Sequence, residues 1–137
     1  MRTLHVGLRV SDLERSLAFY TAVGYTVVGI VDGTAFGSLS MLQLPGDEFV
    51  AIELVHDPAR GTEGIGAALN HLVIQVESLD AALAGLAGKG ITAGQPALPG
   101  GTDGPLTSWI TDPDGYRIEL VQWPAGHADG ITRADFA

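Results

Sequence analysis

The sequence contains no cysteine, which excludes disulfides, thiolate metal ligands and a cysteine nucleophile. Positive charge is scarce: one lysine, Lys89, and 7 basic residues in all against 16 acidic ones, for a formal net charge of −9. Such a chain repels phosphate backbones, and no basic stripe interrupts the deficit, so nucleic acid is not an expected partner. Long apolar runs are missing as well. Each is broken by Gly, Asp or Pro before it approaches the roughly 20 residues of a membrane span, and no membrane partner is expected. The opening MRTLHVGLRV lacks the charged start, apolar block and small-residue cleavage site of a signal peptide, and on that ground a cytoplasmic location is expected. An anionic substrate has few places to bind: Arg9, Arg117, Lys89 or a bound metal.

What is present is an ordinary folded composition, 137 residues with 46% hydrophobic and 17% charged. That length suits one compact domain or two small half-domains sharing a core. The half-domain reading is favoured by a pattern written twice. LHVGLRVSDLERSLAFY (4–20) aligns with NHLVIQVESLDAALAGL (70–86) at an offset of 66, which sets His5 on His71. Leu13, Leu17 and Tyr20 then fall on Leu79, Leu83 and Leu86, and IELV at 52–55 falls on IELV at 118–121. Glu53 follows His5, and Glu119 follows His71, by the same 48 residues.

Each half reads as strand, helix and further strands: an α+β chain of two βαβββ modules in tandem, with mixed curved sheets forming a cleft. The expected boundaries are 1–56 for the first module, 57–68 for a Gly-rich connector, 69–123 for the second module and 124–137 for a mobile or loosely docked tail. In the opening strand Val6, Leu8 and Val10 alternate with His5, Gly7 and Arg9, one set facing inward and the other outward. Ser11 with Glu14 predicts a capping box for the first helix, and Gly24 its end. Ser78 predicts the cap of the second helix, ending near Gly88. Asp32-Gly33 predicts a hairpin between VVGIV and AFGSLSMLQL. Pro45-Gly46-Asp47 and Asp112-Pro113-Asp114-Gly115 predict turns before FVAIELV and YRIELVQW. The stretch QPALPGGTDGP (95–105) is too rich in Gly and Pro for a strand.

His5, Glu53, His71 and Glu119 all point away from the apolar set of their strands. Any one alone has a bland explanation, since a strand with one wet face carries polar residues in that pattern. As a set they converge on one cleft if the modules pack about a pseudo-two-fold axis. Two imidazoles and two carboxylates suit one divalent ion, Zn²⁺, Ni²⁺, Co²⁺, Mn²⁺ or Fe²⁺, with positions left for water or substrate.

LHVGLRVSDLERSLAFYTAVGY, IELV, LNHLVIQV and DPDGYRIELVQ resemble the vicinal oxygen chelate superfamily, also called the glyoxalase/bleomycin resistance/dioxygenase family, and within it the glyoxalase I (lactoylglutathione lyase) branch. The likeness extends to about Trp123. It implies a lyase that isomerises a hemithioacetal, an α-hydroxycarbonyl formed from methylglyoxal and a thiol, through an enediolate. It implies one metal per site, Ni or Zn foremost, held by His5, Glu53, His71 and Glu119. It makes Glu119 the first choice for the base and Glu53 its opposite partner or a pure ligand. Arg9 matches a family position that pairs with the carboxylate of the thiol, a role suited to a guanidinium. Relatives exchange modules between chains, so a homodimer with sites at the subunit interface is expected. Two departures count against glutathione as the thiol: Asp57 stands where relatives carry Asn, and Pro99 where they carry Lys. Two other readings stay open. One is another metalloenzyme of the superfamily, an epimerase or an iron-dependent ring-cleaving dioxygenase. The other is a metal-free protein that binds an antibiotic or metabolite.

Overall fold

The computed structural model describes residues 1–60, 66 and 68–137, so the connector expected at 57–68 lies in large part outside the described residues. The chain divides into two compact units, Met1–Leu69 with Asp112–Gly115, and Asn70–Thr111 with Tyr116–Ala137. The fold is α+β, with a small mixed sheet in each unit.

The first unit runs β1 (Val6–Arg9), α1 (Leu13–Val23), β2 (Thr26–Thr34), β3 (Gly37–Gln43) and β4 (Ile52–His56). Its strands lie in the order β1-β4-β3-β2, with β1 parallel to β4 and the other pairs antiparallel. Leu8, Val10, Leu42, Ile52 and Leu54 form the buried face, and Ser16 and Tyr20 of α1 are fully buried. Burying each such Leu or Ile contributes about 1.5–3 kcal/mol, which fixes the strand register, because a one-residue slip would turn the whole set to solvent.

The cap of α1 is one residue later than the sequence pattern predicts. Asp12, not Ser11, accepts the Arg15 amide, at 3.0 Å. Ser11 is engaged elsewhere: its hydroxyl and amide both donate to Asp114, the amide at 3.2 Å. Gly24 ends the helix as expected, with φ 130° and its amide donating to the Tyr20 and Thr21 carbonyls. The hairpin is also displaced. Asp32 and Gly33 lie inside β2, where the register shifts between Val31 and Thr34, and the chain reverses at residues 35–36. Thr34 builds that turn, its hydroxyl donating to the Gly37 carbonyl at 2.6 Å and accepting from the Phe36 amide at 3.1 Å. The final strand begins only at Ile52 rather than at Phe49.

The turn Asp112–Gly115 belongs to the first unit although two strands of the second, Leu106–Thr111 and Arg117–Gln122, flank it. It closes as predicted, Gly115 N to Asp112 O at 3.1 Å and Asp114 N to Asp112 Oδ1 at 2.9 Å. The buried Tyr20 hydroxyl donates to Asp112 Oδ2 at 2.8 Å.

The second unit runs β5 (Leu72–Gln75), α2 (Leu79–Gly88), β6 (Leu106–Thr111) and β7 (Arg117–Gln122) in the sheet order β5-β7-β6. Ser78 caps α2 as expected, accepting from Ala81 N at 3.2 Å. Ile74, Leu79, Leu86, Ile110, Ile118 and Leu120 are buried. The strand that would match β2 shrinks to one bridge, Ala97 with Thr107. Pro96 and Pro99 cannot donate to a ladder, which accounts for the loop predicted there.

The tail, expected to be mobile or loosely docked, carries local structure. Thr132 caps a short 3₁₀ helix, Arg133–Phe136, through a capping box with Asp135. The local composition concealed this, because the anchor is a residue distant in sequence, Gln75 of the second sheet, which bonds to Asp129 and to Trp123 just past the last strand.

Candidate metal centre

In both units the same ladder positions a His and a Glu. β1 and β4 are parallel with Val6 facing Ile52 and Gly7 facing Glu53; β5 and β7 are parallel with Leu72 facing Ile118 and Val73 facing Glu119. Because side chains alternate, burying Ile52 and Leu54, or Ile118 and Leu120, turns the intervening Glu outward. The His two residues before Gly7 or Val73 shares that outward face.

The two pairs match closely. His5 Nε2 stands 3.4 Å from Glu53 Oε2, and His71 Nε2 stands 3.6 Å from Glu119 Oε2. Both glutamates are largely covered, with side chains 18% and 19% exposed, and each stands beside the imidazole of its own unit. The separations exceed the roughly 2.7–3.2 Å of a direct N–H···O bond. Two ligand atoms each about 2.1 Å from one ion, at a tetrahedral angle, stand about 3.4 Å apart. In donor type and spacing, each pair fits half of a coordination sphere.

The second pair carries support that the sequence reading missed. Asn70 Oδ1 lies 2.6 Å from His71 Nδ1. An Nδ1–H donated to that oxygen leaves the lone pair on Nε2, the nitrogen facing Glu119. Trp109 faces Glu119 across the β6–β7 ladder, and its ring meets the His71 ring edge-on, centroids 5.1 Å apart. The Arg117 guanidinium lies 4.2 Å over the Trp109 ring. In the first unit Met41 faces Glu53 instead. Arg9 sits opposite Val55 on the face of His5 and Gly7.

Among the described residues, no group of three or more His, Cys, Asp or Glu side chains is gathered so as to hold a metal. What each unit presents is a two-residue pair. Asp57 is engaged in its own turn, accepting from Ala59 N at 3.0 Å and standing 3.6 Å from Arg60.

The chain matches the family model of the Glyoxalase/Bleomycin resistance protein/Dioxygenase superfamily over residues 2–120. It is 34% identical over 132 residues to a probable lactoylglutathione lyase of Vibrio cholerae, covering 93% of this chain and 94% of that one. It is 32% identical over 125 residues to the lactoylglutathione lyase of Salmonella typhimurium, covering 89% and 93% respectively. Among solved structures, it is similar to the trypanothione-dependent glyoxalase I of Leishmania major, with a TM-score of 0.72, 28% identity, and coverage of 89% of this chain and 86% of that one.

Proposed function

Because the chain belongs to the glyoxalase/bleomycin resistance protein/dioxygenase superfamily, we propose that it is a metal-dependent lyase of the glyoxalase I type. The observation that carries this reading is the repeated His–Glu pair, in the same register and at nearly the same separation in both units. His5 and Glu53 supply one half of the coordination sphere, and His71 and Glu119 the other. A divalent ion, Ni²⁺ or Zn²⁺ first among the candidates, supplies Lewis-acid stabilisation of negative charge on the substrate oxygens.

The substrate class is an α-hydroxycarbonyl adduct of methylglyoxal with a thiol. The reaction moves one proton between neighbouring carbons: it leaves the hydroxyl-bearing carbon and returns to the adjacent carbon, while the hydroxyl proton passes to the former carbonyl oxygen and the thioester forms. Glu119 is the base that takes and returns it, with Glu53 placed as its counterpart. The Asn70–His71 hydrogen bond holds the imidazole in one orientation while the carboxylate works. Arg9 holds the anionic end of the thiol.

Each site is completed by two copies of the chain, one contributing His5 and Glu53 and the other His71 and Glu119. Support comes from β2, a nine-residue edge strand with Val28, Ile30 and Val31 all exposed. Edge strands of that length and apolarity are ordinarily covered. The deciding experiment pairs metal analysis of the purified protein with thioester formation from methylglyoxal and a panel of thiols. Metal at one equivalent per site with thioester product is expected; metal-free protein at full ligand-binding capacity would refute the reading.

A further inference from the structure

Gln75 stands four residues beyond His71 on the same face of β5, about 13 Å along the strand, and its counterpart in the repeat is Arg9. The two positions are used differently. The Gln75 amide is committed to the C-terminal segment: Nε2 donates to Asp129 Oδ1 at 2.6 Å, and Oε1 accepts from Trp123 Nε1 at 3.1 Å and Gly130 N at 3.0 Å. His127 stacks on Trp123 with ring centroids 4.3 Å apart and planes 7° from parallel. His127 Nε2 lies 2.8 Å from Asp135 Oδ1, and Asp135 closes the capping box on Thr132. The Ala128 carbonyl and then the Asp135 carboxylate raise the His127 pKa, favouring the charged form of that pair. These links tie residues 123–135 into one piece anchored at a single side chain of the sheet. At this end of the face Val121, the ladder partner of Gln75, is only 4% exposed, whereas its repeat counterpart Val55 is half-buried.

We propose that residues 124–137 form a cap that closes the Gln75 end of the second sheet's outward face. The cap sets the negative charge of Asp129 where the first unit sets the positive charge of Arg9. A ligand held at His71 and Glu119 therefore does not extend past Gln75, and anionic extensions are turned away from the capped end. The closure stands on the hydrogen bonds alone; the selectivity rests on the glyoxalase reading above.

The test uses the full-length, metal-loaded protein and the substitutions Gln75→Ala and Asp129→Asn. Gln75→Ala removes all three anchoring bonds at an exposed position. Asp129→Asn keeps an oxygen for Gln75 to donate to and removes only the charge. Closure is read by hydroxyl-radical oxidation of Trp123 and Val121 and by amide exchange over 124–136. Selectivity is read as KM for the glutathione adduct of methylglyoxal against KM for the 2-mercaptoethanol adduct. Gln75→Ala should raise oxidation and exchange, and lower KM for the larger adduct by about tenfold relative to the smaller, with kcat for the smaller unchanged. Asp129→Asn should leave oxidation and exchange as they are and lower KM only for the carboxylate-bearing adduct, by about threefold, as suits an exposed charge. Unchanged oxidation and exchange in Gln75→Ala would overturn the cap. A freed tail with an unchanged KM ratio would overturn the selectivity. If no variant turns over any adduct while the tail is freed, the catalytic reading and the selectivity built on it have failed, and the cap stands.

Discussion

Asn70 Oδ1 lies 2.6 Å from His71 Nδ1, and the opposite nitrogen of the same ring faces Glu119 at 3.6 Å. One short hydrogen bond thus selects the tautomer and the ring angle of the proposed ligand. Removing such a partner typically weakens metal affinity by about 10–100-fold. Asn70→Ala should show that loss in competition with a chromophoric chelator, and Asn70→Asp, which keeps the acceptor, should recover most of it. Equal affinity in wild type and Asn70→Ala would remove Asn70 from the site.

Replacing either His5 or His71 by Ala should strip most of the metal while leaving the fold intact, because both residues lie on outward faces and neither belongs to the buried core. Elemental analysis beside circular dichroism checks this. Glu119→Gln separates ligation from proton transfer, since the amide offers an oxygen to the metal but accepts no proton from carbon. Metal should be largely retained, and kcat should fall by at least about 10². A matching series at Glu53 decides which carboxylate is the base.

Arg9→Ala should raise KM for anionic thiol adducts with a smaller change in kcat, as befits binding shared by ground and transition states. Wild-type turnover of the glutathione adduct should already be weak, because Asp57 and Pro99 stand where the resemblance to glyoxalase I implies Asn and Lys. A kcat/KM for that adduct approaching the diffusional range of about 10⁸ M⁻¹s⁻¹ would contradict this.

The parts of this molecule that announce themselves in the sequence are those set by periodicity. Leu8, Leu54, Ile118 and Leu120 alternate with polar residues, so the outward direction of Glu53 and Glu119 is legible before any coordinates. Ser78 and Gly24 act at the helix ends where their chemistry places them. The misplacements share one cause, a side chain recruited by a distant partner. Ser11 has the right chemistry for a cap, but Asp114, 103 residues away, takes its hydroxyl, so Asp12 caps instead. Asp32-Gly33 has turn chemistry, but Thr34 closes a tighter reversal and leaves Gly33 at a register shift. The roles of Asn70 and Gln75 are invisible in the pattern, because each depends on which neighbour its amide reaches.

Tyr25 provides a pH signature. Burial, and then the negative charge of Asp47, push its phenol up to about 12 from an ordinary 10.0. The folded state therefore favours the neutral phenol. Its contribution is fully present below pH 10 and is lost as pH rises from 10 toward 12, a slope worth roughly 2–3 kcal/mol in total. Urea melts across that range should show the decline, and Tyr25→Phe should flatten it.

Gly37 has φ 103°, and a Cβ there would stand 2.2 Å from the His56 carbonyl oxygen. Gly37→Ala should cost at least about 1–2 kcal/mol from the backbone alone, and more from the displaced β3–β4 ladder. The midpoint of chemical denaturation measures it. An unchanged midpoint would mean the two strands separate without penalty.

The turn Asp112–Gly115 has a consequence for the order in which the protein can be made. Tyr20 and Ser11 emerge early in synthesis, and their partners Asp112 and Asp114 emerge about ninety to a hundred residues later. Until then α1 has its cap but lacks the carboxylate that receives its buried hydroxyl. The N-terminal half cannot finish folding on the ribosome ahead of the C-terminal half, and such long-range closure slows folding. A nascent chain halted before residue 112 should expose Tyr20 to solvent and present the first sheet, β2 edge included, to chaperones or to other copies of itself.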